Sequence, residues 1–188
     1  VMQNLQIRNQ TLIVNKKLTL CLRRYERIFI IGAGKAAPFM AKAAAGIIGN
    51  RLTGGIITGT NLPGAIKLPE RIEYYKGRHP FPDLACIRAT DRIIRLLHTV
   101  GERDLVINLI TGGGSSLLCA PAEGISLSDK VKVTMQLLNS GASINEINAI
   151  RKHISAIKGG MLAKHSGQAT LITLAISDVI GDYIDVIA

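Results

Sequence analysis

The run Asp104-Leu-Val-Ile-Asn-Leu-Ile-Thr111-Gly112-Gly113-Gly114-Ser115-Ser116-Leu-Leu118 decides how this chain is read. Its first half is an almost continuous apolar stretch, the signature of a strand buried on both faces. It breaks into three glycines and two serines, then turns apolar again as a short helix begins. Glycine lets the backbone take φ > 0 and lie close to a ligand, and successive N–H groups in such a loop point into one concavity. With a helix N-terminus behind them, those amides favour a phosphate or a carboxylate. The plain alternative is a strand-to-helix turn with no ligand. Three adjacent glycines give up more chain entropy than a turn requires, so an anion is the better account. Gly112, Gly113, Gly114, Ser115 and Ser116 are therefore expected to bind phosphate or substrate.

Outward from this run, apolar stretches alternate with helical periodicity, the pattern of a parallel sheet covered on both faces. Strands are expected at Arg27–Ile31, Gly55–Thr58, Ile72–Tyr75, Leu105–Ile110 and Thr170–Ile176. Helices are expected at Lys35–Ile48, Leu84–Val100, Leu127–Asn139 and Ile144–Ile157, with another around Leu5–Arg24. Asp83 and Ser126 stand where helix caps belong, and Gly159-Gly160 supplies a stop. The fold class is thus a three-layer α/β/α domain of Rossmann-like type with a mainly parallel sheet. No repeat or linker divides residues 1–188, so one domain is expected. The chain starts at Val1 and stops at Ala188, just past a loop with site chemistry, so it is expected to be part of a longer protein, truncated at both ends.

Three strands lead into loops with chemical potential, and in an open parallel sheet such loops share the carboxyl edge. The first, Gly32-Ala33-Gly34-Lys35-Ala-Ala37, fits the Gly-x-Gly-x-x-Ala dinucleotide fingerprint, which makes Gly32 and Gly34 phosphate-site candidates. The ribose-binding acid of that fingerprint is missing after the second strand, and the spacing is not that of a Walker loop. What remains is a lysine at the first turn of a helix, where a cation opposes the helix dipole unless an anion is present. Gly77-Arg78-His79-Pro80-Phe81-Pro82-Asp83 reads as a rigid loop, and His79 in it as a ligand, an acid/base or a hydrogen-bonded loop residue, the last being favoured because the sequence shows no catalytic partner for it. In the fourth helix Ile147, Ile150, Ile154 and Ile157 form a core stripe. Asn148, Arg151, Ser155 and Lys158 repeat the same spacing beside it, either as a solvated face or as the flank of a phosphate cleft. Asp178 and Asp182, past the last strand, stand where Mg²⁺ ligands or a partner for Lys35 would sit.

Composition narrows the classes. The net charge of +10 comes from 23 Lys+Arg against 13 Asp+Glu. The basic residues are scattered, aromatics are only 4% and Trp is absent, which argues against nucleic acid and for small anions. Cys21, Cys86 and Cys119 have no paired spacing, so neither a disulfide framework nor a zinc site is expected. No stretch has the length and apolarity of a membrane span. The cysteine usage suits a reducing compartment, and a cytoplasmic location is expected, with a targeting segment before Val1 left open.

Taken together, these segments resemble the class II glycerate kinases, whose second domain is known as MOFRL and whose members often carry the name hydroxypyruvate reductase. The resemblance runs through Gly32-Ala-Gly-Lys35-Ala, His79-Pro-Phe-Pro-Asp83, Gly112-Gly-Gly-Ser115-Ser116-Leu-Leu and Pro121-Ala-Glu-Gly-Ile-Ser-Leu-Ser-Asp-Lys130. It continues through Asn145-Glu-Ile-Asn148-Ala-Ile-Arg151-Lys-His-Ile-Ser155-Ala-Ile-Lys158-Gly-Gly and Ser177-Asp178-Val-Ile-Gly181-Asp182. Thr111 and Cys86 stand where the family usually has Ser, and Met161 where it has Arg. The resemblance implies phosphorylation of D-glycerate at its 2-hydroxyl by ATP with Mg²⁺, in a cleft between two domains, of which this chain holds the larger. It assigns Lys35 a catalytic role; the position of Asp178 adds a residue that would serve the metal or orient Lys35, and the polar spacing adds Asn148, Arg151 and Lys158 as candidates to bind substrate or phosphate. The missing C-terminal domain is an expected partner, the fragment alone is expected to be inactive, and a homodimer is left open. An NAD(P)H-dependent hydroxypyruvate reductase and a non-catalytic sugar-phosphate module are the competing functions.

Overall fold

The computed structural model describes residues 4–62, 64 and 66–177. Its centre is a five-stranded, all-parallel sheet in the order β6-β5-β4-β7-β8. The strands are β4 (Arg27–Ala33), β5 (Leu52–Gly59), β6 (Ile72–Lys76), β7 (Asp104–Thr111) and β8 (Thr170–Ile176). The order follows from the path of the chain. From β4 it steps outward through β5 to β6, then returns across the sheet to β7 on the other side of β4. Adjacent β4 and β7 therefore carry connections that leave in opposite directions. Their carboxyl ends form the crevice where ligands bind in sheets of this kind.

Helix α1 (Ala37–Ile48) covers one face and α2 (Leu84–Leu97) the other. The small residues Ala37, Ala41, Ala44 and Ala45 let α1 lie close to the alternate side chains Ile28, Ile30, Leu105, Ile107 and Leu109. On the opposite face Ile31, Ile56 and Val106 meet Ile93 and Leu97 of α2 together with Leu117 and Leu162. The central strands β4, β5 and β7 thus bury both sets of alternating side chains along most of their length, whereas the edge strands β6 and β8 leave alternate positions partly or fully exposed. The remaining helices are α3 (Gly114–Leu117), α4 (Leu127–Asn139), α5 (Ile144–His153) and α6 (Met161–His165). Serine capping boxes open α4 and α5, Ser126 with Asp129 and Ser143 with Glu146.

Three expectations are corrected. The segment Leu5–Arg24 is not a helix but an antiparallel meander, β1 (Leu5–Arg8), β2 (Thr11–Val14) and β3 (Leu18–Cys21), ending in one 3₁₀ turn. Its hairpins turn through Asn9-Gln10 and Asn15-Lys16, all four residues at positive φ, and Leu5, Leu12 and Val14 join the core on the α1 side. Helix α5 stops at His153 rather than Ile157. The expected isoleucine stripe breaks with it: Ile147 and Ile157 are buried, but Ile150 is 41% exposed. Finally, α3 is a single turn of four residues, so the glycine run has no helix macrodipole of any size behind it.

Candidate active site

The crevice between β4 and β7 is closed by hydrogen bonds between their following turns. The Lys35 N–H donates to the Gly112 carbonyl (2.9 Å) and the Ala36 N–H to Thr111 Oγ1 (3.1 Å). The Gly34 N–H donates to the Thr58 carbonyl of β5 (3.1 Å). Gly32 and Gly34 owe their identity to this crossing. A Cβ on Gly32 would meet the Leu109 carbonyl, and one on Gly34 would meet Thr111 Oγ1 and lie 2.7 Å from the Thr111 carbonyl oxygen. The fingerprint-like spacing therefore reflects strand packing. The amides that would receive a pyrophosphate in a dinucleotide site are already bonded to protein.

The Lys35 side chain is exposed at this edge. Beside it, Gly113 turns through a left-handed conformation at φ 84. The space over Gly113 is filled by His79: a Cβ there would lie 2.9 Å from His79 Cδ2 and 3.4 Å from Nε2. The Ser116 and Leu117 N–H groups both return to the Gly113 carbonyl at 3.1 Å, and the Ser116 hydroxyl donates to the Pro80 carbonyl at 2.6 Å. Ser116 thus fastens the His79–Pro80 turn to the glycine loop and brings no amide to a ligand. The sequence held no sign of this, because the contact joins residues far apart in the chain.

Ser115 points toward a cationic group. Arg151 Nη2 donates to Ser115 Oγ at 2.5 Å, and Arg151 Nη1 donates to Asn148 Oδ1 at 3.3 Å. The chain after α5 is drawn here by pairing with the segment that follows α3. The Ala156 N–H donates to the Ala120 carbonyl (3.0 Å), the Ala122 N–H to the Ile154 carbonyl (3.2 Å), and Ser155 Oγ to the Ala120 carbonyl. Asn148, Ser155 and Lys158, expected on one helix face, are all buried, the last two beyond the helix end. Lys130, which sequence spacing did not single out, is buried beside them and donates to the Ile154 carbonyl at 3.0 Å. Burial, reinforced by neighbouring Arg151 and Lys130, brings the Lys158 amine down to about 7. Burial also lowers Arg151 and Lys130 and raises the Cys119 thiol. Among the described residues no carboxylate forms an ion pair with Lys35, Lys130, Arg151 or Lys158. Lys158 and Ser115 also wall a cleft of about 310 Å³ floored by Asn108, Ile110, Thr173 and Ala175.

Asp178 and Asp182 lie outside the described residues. Within those residues no group of three or more His, Cys, Asp or Glu side chains could hold a metal ion, and no helix is long and apolar enough to cross a membrane.

The parallel sheet and its crevice, where glycine loop and cations converge, define an α/β domain of Rossmann-like class. The chain belongs to the family described as a domain of unknown function, DUF4147, whose match covers residues 1–188. The resemblance to class II glycerate kinases is borne out by its relatives. A D-glycerate 2-kinase of Thermotoga maritima is 42% identical over 172 residues, 92% of this chain and 41% of that protein. A glycerate 2-kinase of Pyrococcus horikoshii is 43% identical over 86% of this chain and 36% of its own length. An Agrobacterium vitis relative named as a hydroxypyruvate reductase is 46% identical over 83% of this chain and 40% of its own length. The crystal structure of glycerate kinase from T. maritima superposes with a TM-score of 0.80 over 86% of this chain and 39% of that one. A P. horikoshii protein superposes with a TM-score of 0.86 at 38% identity, over 99% of this chain and 41% of that one. The chain thus spans about 40% of the length of these relatives.

Proposed function

We propose that this chain is the nucleotide- and substrate-binding domain of a glycerate 2-kinase, which transfers the γ-phosphoryl group of ATP to the 2-hydroxyl of D-glycerate. The observation that carries this reading is the set of cations around one glycine loop without a carboxylate partner among the described residues. Phosphoryl transfer demands positioning and charge neutralisation more than covalent chemistry from the protein, and this set supplies both. Gly112–Ser115 would cradle an anion, with Arg151, steadied by Asn148 and Ser115, and Lys158 contributing charge. Lys35, exposed where its turn bonds to Gly112, would stabilise the transferring phosphoryl group or hold the glycerate carboxylate. Mg²⁺ belongs to the proposal through ATP itself; the described residues offer no carboxylate cage for it, and a role for Asp178 and Asp182 rests on their place in the sequence. A second α/β domain closing over ATP and a cytoplasmic setting complete the reading.

The reductase alternative is less well supported. Its pyrophosphate would need the Gly34, Lys35 and Ala36 amides, all of which are engaged within the protein. The test uses the full-length protein, with glycerate-dependent ADP release measured beside hydroxypyruvate-dependent NAD(P)H consumption. Kinase activity that Lys35→Met abolishes while the thermal melt is unchanged is the expected result. Reduction without kinase activity, or near-normal turnover in Lys35→Met, overturns the proposal.

A further inference from the structure

We propose that Thr111 is a positioning residue: its hydroxyl, on the last residue of β7, sets the place of Lys35 relative to the glycine loop. The catalytic consequence rests on the kinase reading above. Three consecutive amides around Lys35 each have an acceptor on another strand or loop. The Gly34 N–H donates to the Thr58 carbonyl (3.1 Å), the Lys35 N–H to the Gly112 carbonyl (2.9 Å) and the Ala36 N–H to Thr111 Oγ1 (3.1 Å). Thr111 Oγ1 is the one side-chain atom among these acceptors. A substitution can therefore remove it while the backbone stays as it is.

The start of α1 explains why this amide takes its acceptor from elsewhere. In α4 and α5 the N-cap N–H donates to a carboxylate three residues on, Ser126 to Asp129 (3.2 Å) and Ser143 to Glu146 (2.8 Å). The N-cap of α1 is Ala36, which makes no side-chain cap bond, and the residue three further on is Phe39, which has no acceptor. Helix α1 thus begins without the local oxygens that fix the other two. The oxygen comes instead from Thr111, 75 residues away in the chain. An N–H left unpaired at this half-buried position would be costly, so the hydroxyl holds the turn rather than merely touching it.

Thr111 is 5% exposed and immediately precedes Gly112. One strand end therefore grips the Lys35 turn twice, through a side-chain oxygen and through the next carbonyl. Two grips on consecutive amides fix both the height and the rotation of the Lys35 backbone, and the exposed side chain leaves from between them. Losing one grip turns a clamp into a pivot. Ser115, with Arg151 bonded to it, follows on the same loop. Rotation of the turn would therefore move Lys35 relative to the other cations, and phosphoryl transfer is sensitive to such displacements. Thr111→Val keeps the bulk but turns a methyl group toward the Ala36 N–H. Thr111→Ser, the residue usual in the resembling family, keeps the acceptor.

The experiment uses the full-length protein as wild type, Thr111→Ser, Thr111→Val, Thr111→Ala, Lys35→Met and Lys35→Met/Thr111→Val. Glycerate-dependent ADP release gives kcat and KM. Melting with and without phosphate or D-glycerate gives each protein's anion-induced shift against its own ligand-free value. The expected result is a fall in kcat of about 10-fold in Thr111→Val and Thr111→Ala, with Thr111→Ser close to wild type. The anion whose shift Lys35→Met reduces should also give a smaller shift in Thr111→Val. The double variant should lose no more of that shift than Lys35→Met alone, because Thr111 acts through Lys35. Wild-type kcat in Thr111→Val and Thr111→Ala, an equal loss in Thr111→Ser, or a shift lost in full on top of Lys35→Met overturns the proposal. Wild type that releases no ADP with glycerate overturns the kinase reading alone, and the positioning role then stands or falls on the melting shifts.

Discussion

Lys158 is 8% exposed, with Arg151, Lys130 and Lys152 as its charged neighbours. Folding depresses its proton affinity to about 7, whereas a lysine in the unfolded chain stays protonated to about pH 10. Between those limits the unfolded chain holds the extra proton, so stability should rise with pH from about 7 upward. Below about 7 the group is charged in both states and adds no slope. Lys158→Met should flatten this rise and raise stability at neutral pH, which urea unfolding at several pH values would reveal; an unchanged slope in the variant would refute the assignment. A bound anion should act in the same direction by stabilising the charged amine. Phosphate is therefore expected to raise the melting temperature of wild type more than that of Lys158→Met. The polar spacing of Asn148, Arg151, Ser155 and Lys158 was legible in the sequence, but a solvated face has the same spacing. What draws Ser155 and Lys158 inward is the pairing of residues 120–122 with 154–156, a contact between separate segments that no local pattern encodes.

At the scale of elements, helix α4 and strand β8 match their expected limits, and the other sheet strands match within about three residues at either end. Apolar runs long enough to cross a sheet and caps at helix starts carry that information locally. The N-terminal meander departs from the expected helix because its strands are only four residues long and its loops, the two residues Asn9-Gln10 and the three residues Asn15-Lys16-Lys17, lack the glycine that marks a hairpin. The alternation Leu5, Ile7 and Leu12, Val14 was the available signal. Both turns place a residue other than Asn or Gly at positive φ, Gln10 at 61° and Lys16 at 57°. Left-handed backbone costs such residues about 1 kcal/mol, which glycine avoids. Gln10→Gly and Lys16→Gly should each stabilise the protein, offset in part by the greater freedom of glycine in the unfolded chain. Asn15→Val should instead destabilise it by about 1–2 kcal/mol. Denaturant midpoints at constant m-value test all three, and a stabilising Asn15→Val would contradict the hairpin geometry.

For the whole molecule the decisive feature is that β4 and β7, from opposite halves of the doubly wound sheet, lie side by side with their loops interlocked. The Arg27–Asp104 pair ties their amino ends, with the buried Asp104 carboxylate also accepting the Gly101 N–H at 2.7 Å. Arg27 holds that carboxyl below its usual range, so the link should weaken only as pH falls through the lowered value. At the carboxyl ends the tie is Gly34 lying over Thr111. Gly34→Ala would put a methyl group against Thr111 Oγ1 and 2.7 Å from the Thr111 carbonyl oxygen, at a backbone φ of 139° that alanine resists. Shortening the side chain in a Gly34→Ala/Thr111→Ala double variant removes the first clash but leaves the carbonyl and the strain. The single variant should therefore lose about 3 kcal/mol of stability, and the double variant should recover only part of it. Because Lys35 and Gly112 are joined through this crossing, both variants should also weaken phosphate binding, read as a smaller phosphate-induced rise in melting temperature. Full rescue by Thr111→Ala would mean that the side chain alone sets the contact and that the backbone of the two halves can part without cost to the site.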